Sequence, residues 1–145
     1  MAFKLHPQLK NDTFPVGDLP LCQVLLMKDA RFTWLIMVPR RDAVSEVFEL
    51  NMKDQQQFWH ESALVAEKLK KLSHADKINL AALGNQVPQL HMHVIARFQS
   101  DAAWPLPVWG QGDADQFTDE TADQTLSQLR EMLDGFWVSG QQTHA

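Results

Sequence analysis

The chain of 145 residues contains a single cysteine and no tyrosine. Cys22 has no partner for an internal disulfide, which excludes a small disulfide-stapled scaffold and fits a reducing compartment. It stands in the apolar run from Leu19 to Met27 and reads as a small buried hydrophobe rather than a reactive thiol. Long apolar runs are also missing, and none approaches the roughly 20 residues needed to span a bilayer. Basic runs are equally absent. Thirteen Lys and Arg stand against 18 Asp and Glu, a net charge of −5. Without a cationic cluster there is no grip on the phosphate backbone of duplex DNA or RNA. An anionic ligand must therefore be met by a local site and not by the global field. The opening residues Met1 to Pro7 show no basic stretch leading into an apolar core, so no secretory signal is expected, and the cytoplasm is the expected location.

What remains is ordinary globular composition, 45% hydrophobic and 21% charged, in a length that suits one domain over residues 1–145. Residues up to about Pro20 are punctuated by Pro7, Pro15 and Gly17 and read as an irregular lead-in with at most one short element. Two β-prone apolar runs follow, 21–27 and 32–38, separated by Lys28-Asp29-Ala30-Arg31. They read as a hairpin covered on both faces and ended by Pro39. Residues 51–72 predict an amphipathic helix. Asn51 can cap it, Asp54 suits the first turn, Phe58, Ser62, Val65, Leu69 and Leu72 share a face, and Lys68, Lys70 and Lys71 gather at the far end. His60 and His74, on or just after this helix, read as surface histidines rather than ligands. Residues 77–83 predict a strand, 84–88 a turn and 89–98 a second strand. A stiff Trp/Pro loop (104–110) precedes a last helix that starts near Thr121, with Gln124 as capping partner. The order describes an α+β domain, an antiparallel β-sheet with helices packed against it.

The strand 89–98 alternates most clearly. Leu90, Met92, Val94, Ala96 and Phe98 make a core face, while Gln89, His91, His93, Ile95 and Arg97 share the other. Two histidines at i and i+2 project the same way, with Cα atoms about 6.6–6.8 Å apart. Three readings stand on this spacing alone: half of a zinc or copper site needing a third ligand such as His6 or His60, an imidazole nucleophile acting on phosphorus, or satisfied surface histidines.

The neighbourhood of the pair adds to this. Gly84-Asn85-Gln86-Val87-Pro88-Gln89-Leu90-His91-Met92-His93-Val94-Ile95 resembles the signature of the histidine triad (HIT) family of nucleotide hydrolases and transferases, in which three histidines alternate with apolar residues after a tight turn. Here His91 and His93 match the second and third histidines, and Gln89 stands where the first belongs. The resemblance extends over about residues 20–100, with 101–145 as a C-terminal part of its own kind.

It implies that His91 attacks the α-phosphate of a nucleotide, and that His93 supports it and the phosphate oxygens. Gln89 could donate an amide N–H but carries no mobile proton. The resemblance further places Asn85 and Gln86 against phosphate oxygens, Asp29 on the ribose hydroxyls unless it is a plain hairpin-turn residue, and Met27 under the base unless it is core. Arg97 would attract a polyphosphate tail or merely end the strand in solvent. Trp104 and Trp109 would stack on a base, close a dimer or pack structurally.

The implied substrate is a nucleoside phosphate, of the dinucleoside polyphosphate or nucleoside phosphoramidate type. No metal or other cofactor is implied. A homodimer is implied, with an apolar patch near Trp59 and Trp137 as its candidate surface. A nucleotide-binding module with little catalysis and a His-x-His metal site remain as alternatives.

Overall fold

In the computed structural model, which describes residues 2–138, the two apolar runs of the hairpin become β2 (Cys22–Met27) and β3 (Thr33–Pro39), paired antiparallel with Leu25 opposite Ile36. β4 (Lys77–Ala81) and β5 (Met92–Arg97) complete the far side, with β5 lying between β3 and β4. A further strand precedes the hairpin. β1 (Thr13–Asp18) pairs antiparallel with β2, giving a five-stranded sheet in the order β1-β2-β3-β5-β4. The lead-in is therefore not irregular: α1 (Pro7–Asp12) runs straight into β1. Pro15 and Gly17 mask the strand in the sequence. They are tolerated because β1 is an edge, and the register shifts between them. Gly17 also meets the ring of Trp137, where an added Cβ would come within 2.9 Å of the indole. Trp137 is accordingly buried, and it drops out of the apolar surface patch expected around it.

The helix α2 (Met52–Ser73) begins as expected, with the Asn51 side chain accepting from Asp54 N at 2.8 Å. It buries Phe58, Ser62, Val65 and Leu69, while Leu72 turns outward. His60 and His74 are exposed, and His74 ends the helix in the left-handed region at φ 59°. The helix α3 (Asp119–Met132) starts earlier than predicted. Its cap is Thr118, which exchanges hydrogen bonds with Thr121, so Gln124 takes no part. Among the described residues no helix is long and apolar enough to cross a membrane.

Two hydrophobic clusters sandwich the sheet. Val24, Leu26, Leu35, Met37, Met92, Val94 and Ala96 face α2 and α3 through Phe58, Val65, Leu69, Leu126 and Leu129. Leu25, Trp34, Ile36, Val38 and Ile95 face the other way, under Leu9, Val87, Ala103 and Val108. The polar face predicted for β5 is thus roofed by the N-terminal segment and the Trp/Pro loop. The buried Glu61 carboxylate fastens the helix layer to the sheet by accepting from Leu21 N and Cys22 N at 2.9 and 2.8 Å.

Arg97 is a correction of the same kind. It does not end the strand in solvent. Its side chain and that of Asp101 are 2% and 4% exposed and pair at 2.8 Å, and the guanidinium also donates to Asn79 Oδ1 and to Leu106 O. Asp101 further accepts from the backbone N–H groups of Phe98, Ala103 and Trp104. Burial alone would raise its carboxyl pKa, but Arg97 and those three amides hold it well below the usual carboxylate range. Asp101→Ala would leave Arg97 buried without a counter-charge and should cost about 3–5 kcal/mol. Urea denaturation reads this out, and a loss under about 1 kcal/mol would show the pair to be dispensable.

Candidate functional site

The ladder of β5 begins only at Met92, so Gln89, which sits in a bend, Leu90 and His91 enter the sheet outside its ladder. Leu90 N is satisfied instead by Val44 O at 2.9 Å, which draws the loop after β3 against the motif. The turn before it brings Gly84 beside the imidazole. A Cβ there would lie 2.8 Å from Val87 O, too close to fit without moving that carbonyl, and at ordinary contact distance, 3.7 Å, from His91 Cε1. These segments enclose a cleft of about 280 Å³ whose lining includes Ser45, Glu46, Gly84, Asn85, Gln89 and His91.

His91 is 5% exposed, and its Nδ1 lies 2.7 Å from Gln89 O. A carbonyl only accepts, so Nδ1 carries the proton and Nε2 keeps its lone pair. Nε2 has no hydrogen-bond partner among the described residues. Burial lowers the pKa of His91, the charge of His6 adds to that, and the Gln89 bond opposes it, the net shift being downward from 6.5. A neutral imidazole with one bare nitrogen at the edge of a polar cleft has the form required of a nucleophile or a general base.

His93 is bound differently. Trp34 Nε1, which can only donate, lies 2.9 Å from its Nδ1, so Nε2 bears the proton and donates to Leu83 O at 3.0 Å. Both ring nitrogens are occupied within the protein, and the ring is held edge-on to His91 at 4.8 Å between centroids, with Trp109 at 5.0 Å. Burial first, and the neighbouring His91 second, push its pKa down to about 4. It thus bonds the chain at Leu83, just before the turn, and lies against the His91 ring. Among the described residues no third His, Cys, Asp or Glu joins the pair in a metal-holding cluster.

The remaining expected residues divide. Asn85 and Gln89 line the cleft with His91. Gln89 spends its side chain on the N-terminal segment: Oε1 accepts from His6 N at 2.8 Å and Nε2 donates to Lys4 O at 2.9 Å. Gln86 is exposed and outside the cleft lining. Met27 packs half-buried against the second hydrophobic cluster. Asp29 is 3% exposed and already occupied, accepting from Arg31 at 2.8 Å and from Asp115 N at 3.3 Å. The Arg31 guanidinium also donates to Gln111 O, so the loop over 111–115 lies across Asp29. Trp109 meets Trp34 and His93 edge-on, and Trp104 lies against Arg97, so both indoles face protein groups.

Trp34 and Glu46 escaped the sequence reading, and the Lys4–His6 segment entered it only through His6 as a possible metal ligand. Trp34 sits diagonally across the strand pair from His93, whose direct partner is Ile36, and this neighbourhood becomes visible only with the register known. Glu46 and the Lys4–His6 segment arrive by loop closure and leave no local signal.

The depressed His93 pKa sets a pH dependence. The unfolded imidazole binds its proton near 6.5 and the folded one near 4, so the unfolded state holds more protons between those values and stability falls as pH drops through that window. The full difference is about 3 kcal/mol. His93→Gln should flatten the change in urea midpoint between pH 6.5 and 4, and an unchanged slope would remove His93 as its source.

A family model for the HIT domain matches residues 8–100. A histidine triad protein from Bradyrhizobium japonicum is 44% identical, with 94% of this chain and 100% of that one covered, at a TM-score of 0.89. A histidine triad protein from Sinorhizobium meliloti 1021 is 48% identical over 90% and 97% of the two chains, with a TM-score of 0.88. One from Marinobacter aquaeolei VT8 is 42% identical over 94% and 99%, with a TM-score of 0.91. Among curated proteins no match is found. A family match over well more than half the chain, around the strand that carries His91 and His93, shows that this chain belongs to the histidine triad (HIT) family.

Proposed function

We propose that the protein is a nucleotide hydrolase or nucleotidyl transferase that works through a covalent intermediate on His91. One observation carries the reading: His91 lines a polar cleft, Gln89 O fixes the proton on its Nδ1, and Nε2 has no hydrogen-bond partner among the described residues. Nε2 attacks the α-phosphorus, an N–P bond forms, and the bond to the leaving group breaks, its electron pair departing with that group, which takes up a proton from solvent. Water then attacks phosphorus and the N–P bond is cleaved. Asn85 supplies a neutral donor for the phosphate oxygens from the turn. The step relies on positioning and on charge stabilisation.

The lining of the cleft narrows the leaving group. It carries no lysine or arginine among the described residues. Two arginines are engaged elsewhere: Arg31 with Asp29, and Arg97 with Asp101. A polyphosphate tail would find no counter-charge there, so a nucleoside phosphoramidate with a neutral or cationic leaving group is favoured over a dinucleoside polyphosphate. A second reading, a nucleotide-binding module with little catalysis, draws support from Gln89, which stands where the first histidine of the motif belongs and whose side chain is already bonded within the protein. The apolar side chains Phe48, Met52 and Trp59, 77%, 69% and 60% exposed, support a two-fold dimer through the start of α2.

His91→Ala should reduce hydrolysis of an adenosine phosphoramidate to background while the urea midpoint stays near that of the parent. A mass increase of one adenylyl group on His91 is expected in quenched parent protein. Parent protein that binds AMP but leaves a panel of phosphoramidates and dinucleoside polyphosphates intact would favour the binding module instead. Trp59→Glu should shift the sedimenting species from dimer to monomer, and an unaltered sedimentation profile would exclude this patch as the interface.

A further inference from the structure

Removal of an adduct from His91 requires something to take a proton from the attacking water, and the residues around the motif strand leave few candidates. Gln89 is an amide and its side chain is tied to Lys4 and His6. Both nitrogens of His93 are bonded within the protein. Asp29 and Asp101 are held by Arg31 and Arg97. His91 itself carries the phosphoryl group at that stage. The cleft nevertheless holds one further ionisable side chain, Glu46, on the wall formed by the loop after β3.

That wall is built rather than loose. Leu90 N, one residue before the nucleophile, donates to Val44 O at 2.9 Å. Just after Val44, the backbone is held by the carboxylate of Glu49, which accepts from Ser45 N at 2.8 Å and from Glu46 N at 2.9 Å, and those bonds hold the Glu49 carboxyl below its ordinary range. The backbone that carries Glu46 is thereby fixed to the backbone that carries His91, and Glu46 is an exposed residue whose side chain faces the Glu49 backbone N–H in the capping box of the turn Val47–Glu49.

We propose that Glu46 is the general base of the hydrolytic half-reaction, a proposal that rests on the covalent reading above. The oxygen of a water held in the cleft forms the new P–O bond as the P–Nε2 bond of His91 breaks. The electron pair of that bond returns to Nε2, and the proton of the water passes to the Glu46 carboxylate and then to solvent. Nδ1–H remains on Gln89 O throughout, so His91 is regenerated in its starting tautomer. The products are the nucleoside monophosphate and free enzyme. Glu49 is a positioning residue for this step.

The test is rapid-quench mass spectrometry with an adenosine phosphoramidate, run on the parent, Glu46→Gln, Glu46→Ala and His91→Ala proteins. In Glu46→Gln the adduct should form at the parental rate and accumulate toward one per protomer, with steady-state turnover down about 100-fold or more. Added formate should restore turnover in Glu46→Ala, an effect that a merely structural role would not produce. Parental turnover in Glu46→Gln, or a loss of turnover with neither adduct accumulation nor formate rescue, overturns the assignment. Turnover surviving in His91→Ala, where Glu46 is intact, overturns the covalent reading and this proposal with it, and it is distinguishable because the loss of Glu46 plays no part in that variant.

Discussion

The bond from His91 Nδ1 to Gln89 O at 2.7 Å is the constraint around which the site is arranged. A free imidazole divides its proton between two nitrogens and titrates near neutrality, so it is an indefinite reagent. The carbonyl removes the tautomeric choice and burial disfavours the charged form. That carbonyl belongs to the chain two residues earlier, and Gln89 and Leu90 lie outside the ladder. Leu90 N is therefore free to pair with Val44 O, and the opposing wall of the cleft is fixed by the same short segment.

The second histidine shows how much a neighbour decides. His91 and His93 are the same residue type on one face, two positions apart, yet one nitrogen of His91 is free and none of His93 is. The difference comes from Trp34. An indole can only donate, so it fixes His93 in the tautomer opposite to that of His91 and sends its remaining N–H to Leu83 O. Leu83 precedes Gly84, so the arrangement steadies the turn against which the His91 ring rests.

What the sequence disclosed follows the range of the interactions. The helix α2 and its Asn51 cap are local and could be read directly, as could the hairpin of β2 and β3 and the shared face of the histidines. β1 was hidden because Pro15 and Gly17 are poor strand residues, made acceptable only by an edge position and a register shift that no local pattern announces. Arg97 looked like a free cation because Asp101 and Asn79 reach it through a loop and a neighbouring strand. Asp29 looked available because the segment that covers it lies more than 80 residues later. Side chains on regular elements were placed well, whereas their engagement depended on loop closures.

The clasp of Gln89 on Lys4 O and His6 N spans sequence separations of 85 and 83 residues. Contacts at such separation are closed late and at high entropic cost when the chain collapses. During synthesis, the early segment must therefore wait for the motif to emerge before its backbone groups find these partners. The histidine environment is one of the last parts of the molecule to be assembled, and a nascent chain halted before residue 89 would carry its first three strands without this end of the molecule being in place.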